Sequence, residues 1–510
     1  MGRHTSRDAR LMPSALRTTT AQLGTEDSRR KGAPTLNIVV VSLDTLRRDR
    51  LTCYGYDKPT TPYLDTIARQ GVRFAEAYVS DIPTEVAHTG LFCGRWGAAT
   101  GIVSHGHPYP ALPETVTWLP EALRRAGLTT AAIDNLYQLK TWFARGFRYY
   151  VNMVSQQRWI DGADVTQEAV DWLRQHYRTP FFLFVHYWDP HSPYLPPPGY
   201  YEPFYPPGRD PFDPARHDME RAYNHLAYPF FKRHHYDLLG PVTDPEYLSA
   251  RYDGEVRYLD DQLQRLDQTL AELGIWQDTW LILIADHGES LTEHDIFWDH
   301  CGLYDPTVRI PLIMRWPAKI PAGRTVCEFV QQIDVVPTIY EALGIAASEP
   351  IDGMSLWPLL AGGTHWPRDR VYLSECAWQA ARGIRTASYK YIETLDSGVY
   401  ERPPRELYRV SDDPGETRSL VEAEPQLAEQ FAQELRAWVA QWGEQDPMRP
   451  IVQNGLPFVR RMDQILRDVG ISWESWKQHP NRQWYDALCE RRSHDVAARS
   501  SEHGEAAPSR

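Results

Sequence analysis

Four short apolar runs constrain this chain more than anything else in it: Ile38 to Leu43, Thr130 to Ile133, Phe181 to Val185 and Trp280 to Ala285. Runs of this length, rich in β-branched or aromatic side chains and bounded by polar residues, are the mark of strands buried on both faces of a parallel sheet. Helical stretches lie between them. YLDTIARQ follows Thr61 and Pro62, which suit a cap and a first turn. TWLPEALRRAG comes next, and the long ARYDGEVRYLDDQLQRLDQTLAELG is closed by Gly274. This alternation predicts an α/β fold, a large doubly wound sheet, mostly parallel or mixed, with helices on both faces. At 510 residues the chain outgrows a single core, so a second, smaller lobe is expected.

Residues 1–34 are polar and aperiodic and read as a disordered lead; the main α/β domain is expected over 35–362. Between 192 and 245 the run SPYLPPPGYYEPFYPPGRDPFDP interrupts the pattern with too much Pro and Tyr for regular helix, and reads as an insertion near a site mouth. VYLSE, YKYIETL and ELYRV predict a short antiparallel sheet in a C-terminal α+β lobe over 363–442, with PQLAEQFAQELRAWVAQW as its helix. Residues 443–510 are a Trp-rich extension ending in a polar tail.

A formal charge of −13 argues against binding nucleic acid, so a small anionic substrate would need a local cation. Six cysteines without a C-x-x-C pair suggest neither a disulfide framework nor a zinc knuckle. No signal-type apolar segment and no membrane-length apolar run is visible, so a cytoplasmic location is expected. The oligomeric state stays open, a homo-oligomer included.

Chemistry-bearing residues gather where the strands end. The first run leads into Asp44, the third into His186, Asp189 and His191, and the fourth into Asp286-His287-Gly288. In open α/β sheets ligands bind at the carboxyl ends of the strands, so these distant stretches should converge on one crevice. Any one of them has an ordinary structural reading, Asp44 as a turn cap for example. Three together point to a divalent metal, and oxygen ligands from Asp44 and Asp286 with one imidazole from His287 suit Mn²⁺, Mg²⁺, Ca²⁺ or Zn²⁺.

The block NIVVVSLDTLRRDRLTCYGYDKPTTPYLDTIARQGVRFAEAYVS resembles the opening of sulfatases, within the alkaline-phosphatase superfamily. HYWDPHSPY, ADHGESLTEH, LYDPTVRIPLIMRWP, IDVVPTIYEALGI, DGMSLWPLLAG and ELYRVSDDPGE resemble later blocks of that family in order, over about residues 36–440. The departure is at the nucleophile. Where the family carries C-x-P-x-R, with Cys converted to formylglycine, the window before Gly94-Arg95 reads Thr84-Glu85-Val86-Ala87-His88, so no formylglycine is expected. The resemblance makes Thr84 both metal ligand and nucleophile, with Asp44, Asp286 and His287 as the other ligands. Thr45 stands for the second Asp of the family's pair, and His300 for its Lys. His88, His186 and Asn135 are expected near substrate oxygens, with His191 as the first candidate for the general acid and His300 as the second.

The expected function is a metal-dependent hydrolase of sulfate, phosphate or phosphonate esters. A Thr ester lacks the second hydroxyl through which a formylglycine hydrate expels sulfate, which shifts weight towards phosphorus chemistry. The alternatives are a binding protein that keeps the fold without turnover, and a phospho-group transferase. At Thr84 itself the plain alternative is a cap for a helix starting near Glu85.

Overall fold

The computed structural model describes residues 36–109, 111–153, 160–443 and 446–502; the expected lead over 1–34 and the end of the polar tail fall outside them. The strands are β1 Asn37–Leu43, β2 Val72–Tyr78, β3 Asp81–Ile82, β4 Thr129–Asp134, β5 Tyr149–Asn152, β6 Phe181–Tyr187 and β7 Thr279–Ala285. They continue with β8 Leu312–Arg315, β9 Arg324–Gln331, β10 Arg370–Cys376, β11 Ala380–Thr386, β12 Tyr389–Asp396 and β13 Arg405–Arg409. Eight form one sheet in the order β5-β4-β6-β1-β7-β8-β2-β9, in which β8 alone runs against its neighbours. Every residue of β1, β6 and β7 is buried, so both faces of the sheet centre are covered, as their unbroken apolar runs require.

Register explains the crevice. Leu43 at the end of β1 lies beside Tyr187 on β6 and Ala285 on β7. The next residues of β1 and β7, Asp44 and Asp286, therefore leave the sheet at the same level, and the Asp44 amide is fixed by the Tyr187 carbonyl at 3.1 Å. One strand further out, Ile133 pairs with Val185, which brings Asn135 beside His186.

The second sheet has the order β13-β12-β11-β10-β3 and is antiparallel except where β10 meets β3. VYLSE, YKYIETL and ELYRV are β10, β12 and β13. Two members were not anticipated. β11 reads AARGIRT, with no apolar alternation, because Arg382 and Arg385 are buried in the folded chain. β3 is two residues long, yet it ties the stretch just before Thr84 to this sheet.

The insertion holds only single turns, a 3-10 turn Glu202–Phe204, Glu220–Tyr223, Tyr228–Phe231, a π-helical turn Lys232–Tyr236 and Asp237–Leu239. The extension forms the helices Arg449–Asn454, Pro457–Asp468, Trp473–Gln478 and Arg482–Glu502. The two segments pack on each other: Trp476 Nε1 donates to the Leu226 carbonyl at 2.8 Å and the Tyr228 hydroxyl to Asp486 at 3.0 Å. No helix among the described residues is long and apolar enough to cross a membrane.

Candidate active site

Thr84 opens the helix Thr84–Cys93, which follows directly from β3. The cap position of this helix falls on Pro83, and the Thr84 hydroxyl lies 3.1 Å from His287 Nε2. His287 Nδ1 donates to the Gly288 carbonyl at 2.9 Å, which leaves Nε2 with its lone pair turned into the site. Asp44, Asp286 and His287 offer ligand atoms that all lie within 4.8 Å of one another, each residue buried.

These residues fit a divalent ion. Both Asp44 oxygens and Asp286 Oδ2 are buried without a hydrogen-bond partner, an unfavourable state for a carboxylate unless a cation is its partner. Burial, reinforced by the charge of Asp286, pushes the Asp44 carboxyl well above its ordinary value. Burial acts on Asp286 too, but His287, His88 and His186 outweigh it and hold that carboxyl below the usual range.

A ring of side chains holds this centre. His88 Nδ1 donates to the Thr84 carbonyl at 2.8 Å and lies 3.6 Å from Asp286 Oδ2, while its Nε2 accepts from Ser42 at 2.9 Å. With both nitrogens engaged inside the protein, His88 braces the turn that carries Thr84. His186 Nε2 lies 3.3 Å from Asp44 Oδ2, and its Nδ1 donates to Asn135 Oδ1 at 3.0 Å, so Asn135 stands behind His186. Thr45, a β-branched residue at φ 55, adopts the left-handed conformation such residues avoid. That twist aims its amide at Asp286 Oδ1 (3.2 Å), and its carbonyl accepts from Tyr252 at 2.8 Å.

His300 and His191 stand side by side, ring centroids 5.1 Å apart, with His300 stacked on His287 at 4.8 Å. Their charge states differ. His191 is pushed well below its ordinary value by burial and by the neighbouring His300, and its Nδ1 donates to the Ser192 carbonyl at 2.6 Å. Burial works against charge on His300 as well, but Glu289 and Asp299, each 3.8 Å from Nδ1, raise it to about 9. His300 is thus cationic at neutral pH and His191 neutral.

Two members of the site were missed from the sequence. Glu289 is fully buried with neither oxygen hydrogen-bonded, and burial lifts it to about 7. It sits in the ADHGESLTEH block, so its place three residues after Asp286 was a usable signal. His105 had none. It lies in the loop after the turn Gly97–Thr100, where Nδ1 accepts the amide of Glu85, the residue next to Thr84, at 3.3 Å. Its ring feels His300, Lys140, His287 and Asp286, and burial chiefly lowers it to about 3, so it is neutral with its proton on Nε2.

A mostly parallel sheet with carboxylates and imidazoles gathered at its strand ends places a candidate divalent-ion site on an α/β fold. Residues 36–345 match the family model described as sulfatase, and residues 292–443 match that of the C-terminal part of N-sulphoglucosamine sulphohydrolase. The chain belongs to the sulfatase family. Among curated relatives it is 28% identical to the multifunctional alkaline phosphatase superfamily protein PehA of Trinickia caryophylli, over 76% of this chain and 77% of that protein. It is 22% identical to an N-acetylglucosamine-6-O-sulfatase of Bacteroides thetaiotaomicron, over 75% of this chain and 82% of the relative. Among solved structures, the phosphonate monoester hydrolase of Agrobacterium radiobacter has the same fold, with a TM-score of 0.67 at 22% identity over 81% of this chain and 97% of that one.

Proposed function

We propose that this sulfatase-family hydrolase cleaves a small anionic phosphate or phosphonate ester, with Thr84 as the nucleophile and Asp44, Asp286, His287 and Thr84 holding one divalent ion. The observation that carries it is the Thr84 hydroxyl, 3.1 Å from His287 Nε2, with the cap position of its helix on Pro83. Similarity to a multifunctional superfamily protein and to a phosphonate monoester hydrolase supports the phosphorus reading, while the sulfatase relatives keep sulfate esters as the competing substrate class.

When bound, the ion would lower the pKa of the Thr84 hydroxyl and offset the charge of the transferred group. Thr84, whose hydroxyl proton would pass to solvent as the ion binds, attacks phosphorus in line through the Oγ1 alkoxide, forming the Thr84 O–P bond as the bond to the leaving oxygen breaks, and it leaves again as the alkoxide when water cleaves the ester. His300, held cationic by Glu289 and Asp299 on its Nδ1 side, gives a proton from Nε2 to that leaving oxygen. The neutral imidazole then takes a proton from the water that cleaves the Thr84 ester, restoring both residues. We assign the general-acid role to His300 and not to His191, because His191 is neutral and already donates its Nδ1 proton to Ser192. His191 and His105 remain to contact substrate oxygens. His88, His186 and Asn135 are assigned to orienting Thr84, Asp286 and Asp44.

The test is the metal-loaded protein on an aryl sulfate, an aryl phosphate monoester, an aryl phosphate diester and an aryl phosphonate, with Thr84→Ala as control. Turnover of phosphorus esters that vanishes in the control supports the reading. Sulfate turnover that survives the control overturns Thr84 as nucleophile. A chain that takes up no divalent ion and turns over none of the four is a binding protein with this fold.

A further inference from the structure

Residues 444–510 lie beyond both family matches, and their sequence carries no motif that translates into chemistry. In the folded chain the described part of them reaches the loop beside the site. The loop 101–109, which carries His105, lies on the extension: Val103 packs with Met448, Ile451 and Leu456, and the half-buried Phe458 stacks on the His105 ring, centroids 5.5 Å apart and planes 18° from parallel. Gly106, at φ 74, takes the left-handed conformation that favours glycine, and a Cβ there would lie in ordinary contact with Pro457 and Phe458, at 3.8 Å, so the loop runs directly against the extension. Phe458 is in turn fixed from behind by Trp378, 5.0 Å away in the β10–β11 turn, and by Phe230 of the insertion at 5.8 Å. Parallel stacking of this kind sets the plane of a ring and leaves its edges free for hydrogen bonds.

One edge of His105 is used. Nδ1 accepts the Glu85 amide, so in the neutral ring the proton is on Nε2, on the opposite edge, and the residue that holds the ring directly follows Thr84. Two constraints, a hydrogen bond from the residue next to the nucleophile and a stack from the extension, thus fix both the position and the plane of one imidazole. We propose that Phe458 is a positioning residue: through its stack on His105 the C-terminal extension aims the Nε2–H of that histidine at an oxygen of the transferred group. The extension is then a working wall of the site.

The kinetic arm of the test rests on the hydrolase reading; the spectroscopic arm does not. In the full-length, metal-loaded protein, with p-nitrophenyl phenylphosphonate and p-nitrophenyl sulfate as probes, Phe458→Leu keeps the apolar volume and removes the stacked ring. It is expected to lower kcat/KM about tenfold, as is His105→Ala, the loss of one aimed hydrogen bond. The double variant is expected to fall about tenfold as well, because both changes remove one interaction. Phe458→Tyr, which retains the stack, restores wild-type values. Ile471→Val, in the same extension but beyond the helix that carries Phe458 and outside the cluster under loop 101–109, stays within about twofold. A roughly hundredfold loss in the double variant, an unchanged Phe458→Leu, or a tenfold loss in Ile471→Val overturns the proposal.

In protein labelled with ¹⁵N-histidine, the His105 signals, identified by their loss in His105→Ala, are expected to show an unprotonated Nδ1 and a protonated Nε2. In Phe458→Leu the two are expected to average towards each other. His105 signals identical in wild type and Phe458→Leu overturn the proposal whatever the turnover. Wild-type protein inactive on both esters counts against the hydrolase reading alone and leaves the spectra to decide this one.

Discussion

His287 Nε2 faces the Thr84 hydroxyl at 3.1 Å across 203 residues of sequence. The contact exists because β7 and the segment after β3 end on the same rim, and because the Gly288 carbonyl occupies the other nitrogen of the ring. If Thr84 is the nucleophile, Thr84→Ala is expected to lower kcat on aryl phosphorus esters by at least about 10³-fold, whereas Thr84→Ser keeps a hydroxyl there and stays within about tenfold. Initial rates on the purified variants check both.

Asp44 and Asp286 crowd two carboxylates into a buried centre, with three of their oxygens unpaired. Asp44→Asn is expected to abolish divalent-ion uptake, measured by elemental analysis after dialysis, and yet to raise the melting temperature of the chelator-treated protein by a few degrees. Replacing an unpaired buried charge with a neutral group of the same shape removes a desolvation cost of about 1–3 kcal/mol. Lower stability of the metal-free variant would count against the site as described.

His300 is expected to matter in proportion to how badly the leaving group needs a proton. His300→Ala should slow p-nitrophenyl esters by about tenfold and phenyl or alkyl esters by about 10²–10⁴-fold. A leaving-group series run on wild type and variant measures the difference in slope. An equal loss across the series would remove His300 from the acid role.

Glu375, on β10, is fully buried, and burial raises its carboxyl from the ordinary 4.5 to about 7, with Gln379 and the Gly302 amide both donating to Oε2 at 2.9 Å. Because the folded-state value is the higher one, its contribution is fully present below about pH 4.5 and is lost as pH rises through about 7, to a total of roughly 3 kcal/mol. Glu375→Gln keeps an acceptor for both donors and cannot ionise. It is expected to melt with wild type at pH 5 and about 3–5 °C above it at pH 8, by scanning calorimetry.

The main sheet was legible because β1, β4, β6 and β7 are buried on both faces, Thr129 at the start of β4 excepted, and so carry largely apolar runs, a local property of the sequence. Strands whose partners supply their environment were not: β2 alternates burial without a clean pattern, and β11 buries two arginines whose counter-charges, Asp446 for Arg382 and Asp305 for Arg385, come from distant segments.

The candidate site divides the same way. Asp44, Asp286 and His287 could be named from the strand ends alone, since strand ends in a parallel sheet must share one rim. Which histidine carries a proton was beyond any such reading. His191 and His300 are the same residue type in the same crevice, and only the carboxylates of Glu289 and Asp299 against one ring, and their absence from the other, separate the two charge states. His105 and Phe458 sit 353 residues apart, and their meeting follows from how the extension packs beneath the loop 101–109. Local pattern therefore determined the sheet and the acidic and imidazole residues at its strand ends, whereas protonation and ring orientation were decided by the tertiary structure, because both depend on distances between residues remote in the chain.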